Sequence, residues 1–366
     1  MSASADPIDA VSQRLASFIG AEADSWAQAG AEAAAFARAA GASVTGGKRL
    51  RARFCVTGWQ AVAETRAPHA APGAAVVSAA AALEIFHAAA LVHDDLIDNA
   101  DTRRGRPAAH RALEAHHRAA HWAGDAAAFG RSAAILLGDL LVAWSDDLFE
   151  QGLRESAHAD AARELYARMR QDVTVGQFLD IAEEAAAPSA PLSEHADRAL
   201  RVASLKSARY SVMHPLLLGA ALAAADAEQA AALEAFGHPL GLAFQLRDDV
   251  LGVFGDSAVT GKPSGDDLRE GKRTVLVAYT REALGAGGAG GASRAFDELL
   301  GDPALDAAQI TALQQTIRDS GALDRVEALI SRYADRADRA LRGAPLGTHA
   351  VGALRDLARD ATTRTS

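Results

Sequence analysis

About a quarter of the residues in this chain are alanine, and that preference limits its possible folds more than any other feature. Alanine is the strongest helix former, while strand formers such as Tyr and Trp number only four each in 366 residues. Apolar residues recur at helical spacing over 8–40, 48–65, 74–99, 107–122, 131–152, 158–184, 194–209, 212–224, 227–256, 272–285, 292–300, 306–318 and 321–342, with no competing period-two pattern. The spacing predicts an all-α fold. Breaks are short: Gly46 and Gly47, Pro68 to Gly73, Arg104 to Pro107, Pro188 to Pro191, Gly261 to Gly265, and a Gly/Ala tract over 285–292 that reads as a flexible loop. With no long Pro/Ser-rich linker and no internal repeat, one large domain over 1–366 is expected.

Charge then excludes a class of partner. There are 47 Asp plus Glu against 37 Lys plus Arg, a net −10, and no basic run, so nucleic acid is not an expected ligand. Any phosphate must be held by local groups. A single cysteine, Cys55, rules out an intrachain disulfide and suits a reducing cytoplasm, where it reads as a small buried apolar side chain. The N-terminus lacks a basic and apolar leader pattern, and the runs 70–83 and 215–225 are too short to span a membrane. A cytoplasmic protein without an integral membrane segment is expected.

The segment LEIFHAAALVHDDLIDNADTRRGRPAAH, 83–110, carries the chemistry. Asp94 and Asp98 are four apart and share a helical face, where two carboxylates at a helix C-terminus repel each other and oppose the helix dipole. A cation should compensate. Oxygen-only ligands with an incomplete shell suit Mg²⁺, which keeps waters and takes phosphate oxygens. Asp248 and Asp249 repeat the device after a second apolar run, with Gln245 one turn upstream on the Asp248 side. The two pairs are expected to face each other across a helical bundle.

DDLID at 94–98, followed by Arg103, Arg104 and Gly105, resembles the first aspartate-rich motif of the trans-isoprenyl diphosphate synthases (polyprenyl synthases), and DDVLGVFGD at 248–256 resembles the second. GGKRLR at 46–51, GQFLD at 176–180, KSARY at 206–210 and GKPSGDDLREGKRT at 261–274 match the family's other blocks in order, so the resemblance covers about 40–280. It implies a single helical bundle of the isoprenoid synthase type with a central cavity, usually homodimeric. The implied reaction joins isopentenyl diphosphate to an allylic diphosphate head to tail, with three Mg²⁺ ions per active site.

Residue by residue, the resemblance implies Asp94, Asp98 and Asp248 as metal ligands. Asp95 and Asp249 would orient ligands or waters, and Gln177 and Asp180 would support the lysines. The allylic diphosphate would meet Arg103, Lys206, Ser207, Gln245, Lys262 and Lys272, with Lys206 and Lys262 counted among the catalytic groups. Isopentenyl diphosphate would meet Lys48, Arg51, His87 and Arg104; Lys48 and Arg51 are expected on one side of a helix that starts after the two glycines, and His87 alone reads as a core histidine. The segment 257–273 reads as a loop able to close over the diphosphate. One departure stands out: the fifth position of the second motif is Gly252 instead of a carboxylate.

Ala89 and Ala90, upstream of the first motif, would line the pocket for the growing chain. Phe86 lies one turn deeper as its floor or as ordinary packing, and a twenty-carbon geranylgeranyl product is expected. A class I terpene cyclase shares the first motif but needs no isopentenyl site. A non-catalytic partner subunit is the other alternative, and would be expected to lose motif aspartates.

Overall fold

A computed structural model describes residues 6–186, 189–255, 264–286 and 290–362. It is all-α apart from one two-residue hairpin, Thr102–Arg103 paired with Arg106–Pro107. The described residues form two compact units. The first comprises those up to Arg163, with Pro215–Asp226 and Leu346–Ala350; the second comprises Glu164–His214, Ala227–Pro345 and those from Val351 onward.

The first unit is built around α4 (Ala74–Ile97), which packs along α6 (Ala126–Leu153). Helices α1 (Pro7–Ala27), α2 (Ala31–Val44), α3 (Leu50–Ala63) and α5 (Ala109–Ala119) lie around this pair. Small residues let α4 sit close to its neighbours: Ala79 to Ala82 are fully buried, followed by Leu83 and Ile85. Leu137, Leu141, Trp144 and Leu148 complete the core, and Phe18 meets the Trp144 ring edge-on at 6.3 Å. Both α4 and α6 are long and apolar enough to cross a membrane by length and composition. The apolar run of α4, longer than the 70–83 stretch singled out in the sequence, is mostly buried, as in a core helix. On α6, Ile135 and Leu136 remain exposed.

Local chemistry sets the helix ends. Asp6 caps α1 through its bond from the Ile8 N–H (3.0 Å) with Pro7 at the first position, and Asp125 caps α6 by accepting from Ala127 (2.8 Å) and Ala128 (3.3 Å). The segment read as one helix over 8–40 is two, because Gly30 takes φ 114° between α1 and α2.

The second unit holds the rest of α7 (Ala159–Ala186), α8 (His195–Val202) and a π-helical run, Ala203–Met213; α9 (His214–Leu222) follows that run in sequence and, from Pro215, is counted with the first unit. Helical structure is therefore assigned without interruption from His195 to Leu222, where two segments were expected over 194–209 and 212–224. The π-helical run packs on α10 (Ala227–Phe254), which also packs on a later helix, Ala322–Ala340. Gly241 of α10 lets the helix backbones touch: an added Cβ there would stand 2.8 Å from the Ala208 carbonyl carbon and closer to its oxygen. Buried Asp172 fastens the far end, accepting from His214 Nε2 (3.1 Å), Arg209 Nη1 (3.2 Å) and Arg168 Nε (3.1 Å).

Part of the expected loop over 285–292 is helical. A helix runs through Gly285 to Ala286, and another begins at Gly290, because the alanines of the tract sustain helix on both flanks. A C-terminal helix, Thr348–Thr362, lies beyond the last segment that periodicity identified. Part of the expected 257–273 loop is also ordered as a short helix, Asp266–Glu270.

Candidate active site

The glycine loop and α4 gather basic residues in the first unit. Helix α3 begins at Leu50, so Lys48 precedes it, exposed, and does not share a helical face with Arg51; this corrects the expectation of a helix from 48. The reason is Arg49, which takes the left-handed conformation (φ 53°) as the N-cap and turns the chain. Buried Glu84 of α4 holds this corner, accepting from the Ala52 N–H (3.1 Å) and pairing with Arg49 (3.5 Å). The Arg104 guanidinium lies over Gly47, 3.0 Å from where a Cβ would stand.

His87 sits one turn on from Glu84. Burial, with the charges of Arg51, Arg104, Arg103 and Arg49 added, holds its imidazole well below the usual range, so it stays neutral at pH 7 and can donate one N–H without adding charge. Burial and the neighbouring guanidiniums also lower Arg104. Bringing like charges together stores repulsion that an anion relieves.

Two turns further, α4 ends in the first acidic motif. Asp98 is the C-cap, still helical (φ −78°), so Asp94 and Asp98 keep a common face. Buried Asp95 turns to Arg103, accepting from Nε at 2.7 Å and from Nη2, while Asp94 accepts from Nη2 at 3.3 Å. Burial opposes the Arg103 charge, but the Asp95 bond and the carboxylates of Asp95, Asp94 and Asp98 outweigh it and raise its pKa. The hairpin delivers Arg103: Arg104 (φ 53°) and Gly105 (φ 71°) form its two left-handed turn positions.

The second unit carries the other motif. Asp248 is half-buried and Asp249 buried on α10. Gln245 donates to Asp249 Oδ1 at 2.6 Å, an i to i+4 bond. It was expected on the Asp248 side, and the extra residue of spacing aligns it with Asp249 instead. Burial, then the charges of Asp267, Asp248 and Asp180, push the Asp249 carboxyl up to about 8. Lys206 and Ser207 lie in the π-helical run, and Lys206 reaches Asp180 of α7 at 2.5 Å. Gly176 permits that approach, since a Cβ there would stand 2.7 Å from the Leu205 carbonyl carbon and closer to the Lys206 nitrogen. Gln177 is half-buried one residue on. Lys272 is held by Glu270 at 2.7 Å.

Lys262 lies outside the described residues. Phe86 and Ala89 are buried in α4, at 6 % and 1 % exposure, whereas Ala90 keeps part of its surface. Burial also pushes the Cys55 thiol up to about 12, leaving it unreactive.

The acidic donors fit Mg²⁺. They are carboxylate oxygens without nitrogen or sulfur. Open, oxygen-only sites suit an ion that arrives with waters and phosphate. Sequence reasoning missed Arg49 and Glu84. Charge at Arg49 was visible in the glycine block, but its left-handed turn and its long-range partner were not.

Comparisons with known proteins fit this geometry. The family model for polyprenyl synthetase matches residues 34–302. A solved geranylgeranyl pyrophosphate synthase from Corynebacterium glutamicum, complexed with isoprenyl diphosphate and magnesium, superposes with a TM-score of 0.91 at 36 % identity, covering 98 % of each chain. A geranylgeranyl diphosphate synthase from Mycobacterium tuberculosis is 39 % identical over 54 % of this chain and 50 % of its own length. A short chain isoprenyl diphosphate synthase from Methanocaldococcus jannaschii is 32 % identical over 57 % of each. The chain thus spans little more than half the length of these two curated relatives. With the family model matched over most of its residues, this chain belongs to the polyprenyl synthetase family.

Proposed function

We propose that this protein is an isoprenyl diphosphate synthase that condenses isopentenyl diphosphate with an allylic diphosphate. The observation that carries the reading is the division of α4 into two charge environments: a neutral His87 among Arg49, Arg51 and Arg104, and an acidic end at Asp94 and Asp98 two turns on. A diphosphate without metal suits the first, and a diphosphate with metal the second. By resemblance, Asp94 and Asp98, and separately Asp248, would hold Mg²⁺, three ions in all, and the bound metal would supply Lewis-acid neutralisation of the departing diphosphate.

Lys206, Lys262, Lys272 and Arg103 then bind that diphosphate as the allylic cation forms, Lys206 oriented by Asp180. Ser207 and Gln245 supply hydrogen bonds beside them. Lys48, Arg51 and Arg104 fix the isopentenyl diphosphate so that its double bond meets the cation. The product proposed is geranylgeranyl diphosphate, supported by the names of the Corynebacterium and Mycobacterium relatives and by Ala89 and Ala90 above Phe86. A homodimer fits the exposed apolar residues Ile135 and Leu136 on α6 and Val175 and Phe178 on α7, and a cytoplasmic setting fits the single buried cysteine.

The test is incubation with Mg²⁺, isopentenyl diphosphate and each allylic primer in turn, with chromatography of the dephosphorylated products. Chelator-sensitive formation of a twenty-carbon alcohol is expected. Hydrocarbon release from an allylic diphosphate alone would indicate a cyclase, and no turnover with any primer a partner subunit.

A further inference from the structure

The π-helical run Ala203–Met213 carries Lys206 and Ser207, and α7 meets it along one stripe. Asp172, Gly176 and Asp180 follow one another at four-residue intervals, so they share a face of α7. Each meets the run. Asp180 pairs with Lys206, Gly176 admits the Leu205–Lys206 backbone, and Asp172, 5 % exposed, takes the other end. Its Oδ2 accepts from both Arg209 Nη1 (3.2 Å) and His214 Nε2 (3.1 Å). Its Oδ1 faces Arg168 Nε at 3.1 Å, within α7 itself. Burial raises the Asp172 carboxyl, but the bonds from His214 and Arg209 outweigh it and hold the group below its usual range, so it is an anion at neutral pH.

Two donors on one oxygen report how the run is wound. Arg209 and His214 are five residues apart, which in an α-helix of 3.6 residues per turn separates them by about 140°. A π turn closes over five residues and brings them to one side. The backbone agrees: the His214 N–H donates to the Arg209 carbonyl, so the same two residues close the last π turn. The bland account is an ion pair that fastens two helices, beside Pro215, which brings no N–H to the helix ladder. A proline explains one wide turn, but neither a run of 11 residues nor the shared carboxylate. We infer that Asp172, through Arg209 and His214, holds this winding and so aims Lys206 at the allylic diphosphate, the three acting as positioning residues. Relaxing one π turn to α would displace the residues before it by one position, about 100° and 1.5 Å, enough to swing Lys206 away from Asp180. The inference rests on the reading that Lys206 binds that diphosphate.

The test uses the full-length chain and two probes, an unreactive allylic thiodiphosphate with Mg²⁺ and isopentenyl diphosphate alone, each titrated by calorimetry. Asp172→Ala should fold, because Arg168 and Arg209 are already 62 % and 34 % exposed and can be solvated once released. It should weaken thiodiphosphate binding by about tenfold to a hundredfold, the scale for misplacing a positioning group by about an ångström, and leave isopentenyl diphosphate within about twofold. His214→Ala should act in the same direction, and His214→Gln, which returns an N–H donor near the place of Nε2, should restore binding. The double variant Asp172→Ala/Lys206→Ala should bind the thiodiphosphate no more weakly than Lys206→Ala, because residues that act through one another are non-additive.

Parental thiodiphosphate binding in folded Asp172→Ala would overturn the inference. So would equal weakening of both probes, or full additivity of the Asp172 and Lys206 effects, each the mark of a general loss of structure. If Asp172→Ala does not fold, His214→Ala, alone and combined with Lys206→Ala, carries the same test, since Asp172 then keeps both arginines. Lys206→Ala separates the two readings. Parental binding in that variant removes Lys206 from the diphosphate site and the inference with it, whereas weakened binding there beside an unaffected Asp172→Ala refutes the positioning role alone.

Discussion

Glu84 is the residue whose removal should connect stability to substrate use most directly. Its carboxylate takes the Ala52 N–H at 3.1 Å and stands 3.5 Å from Arg49, with only 5 % of its side chain exposed. A buried hydrogen bond to a charged group contributes about 1.5–3 kcal/mol. The Arg49 attraction at that separation is about 5 kcal/mol in an effective dielectric near 20. Desolvation cancels most of it, and Arg49 can turn to water once released, so about 1 kcal/mol is assigned to the pair. Glu84→Ala should therefore destabilise the protein by about 3 kcal/mol. Glu84→Gln keeps an acceptor for Ala52 and should lose about half as much. Guanidinium unfolding followed by circular dichroism measures both. The α3 corner would loosen, so the apparent KM for isopentenyl diphosphate should rise while that for the allylic primer stays near the parental value. A cost below about 0.5 kcal/mol for Glu84→Ala, the level of an ordinary surface change, would refute the reasoning. So would equal rises in both KM values.

Other perturbations report on separate parts of the chain. Asp249 holds its proton up to about pH 8 when folded and releases it near 3.8 when unfolded, so the folded state binds the extra proton between those values and loses stability as pH rises through them. In metal-free buffer, Asp249→Asn should gain thermal stability relative to the parent progressively from about pH 4 to 8; parallel profiles would refute this. Gly241→Ala drives a methyl group into the Ala208 backbone and should cost about 1–3 kcal/mol. Gly20→Ala, with open space at its Cβ inside α1, should gain about 0.5–1 kcal/mol; similar midpoints for both variants would contradict the packing argument. Phe86→Ala should lengthen the main product and Ala90→Phe shorten it, since the two residues are four apart on one face of α4. Ala90 is the gentler probe because Ala89 is 1 % exposed and already tightly packed. Unchanged product distributions in both folded variants would place chain-length control elsewhere.

What the sequence determined by itself is what depends on short spacing. Alanine content and 3.6-residue periodicity are local properties, and they suffice for an all-helical chain and for most helix positions. Asp94 and Asp98 could be placed on one face because four residues make about one turn, whatever the helix packs against. Tertiary structure decided the rest, because those features depend on groups far apart in the chain. Helix α3 starts at Leu50 because Glu84, 32 residues from Ala52, caps it beside a left-handed Arg49. The helical assignment has no break at 209–212 because the π-helical run there is packed against α10, with Gly241 admitting close contact. Gly252 departs from the linear motif. Only the fold shows that an added Cβ there would fall on the Asp267 carboxylate, fifteen residues on along the chain, which no spacing rule within one helix could reveal.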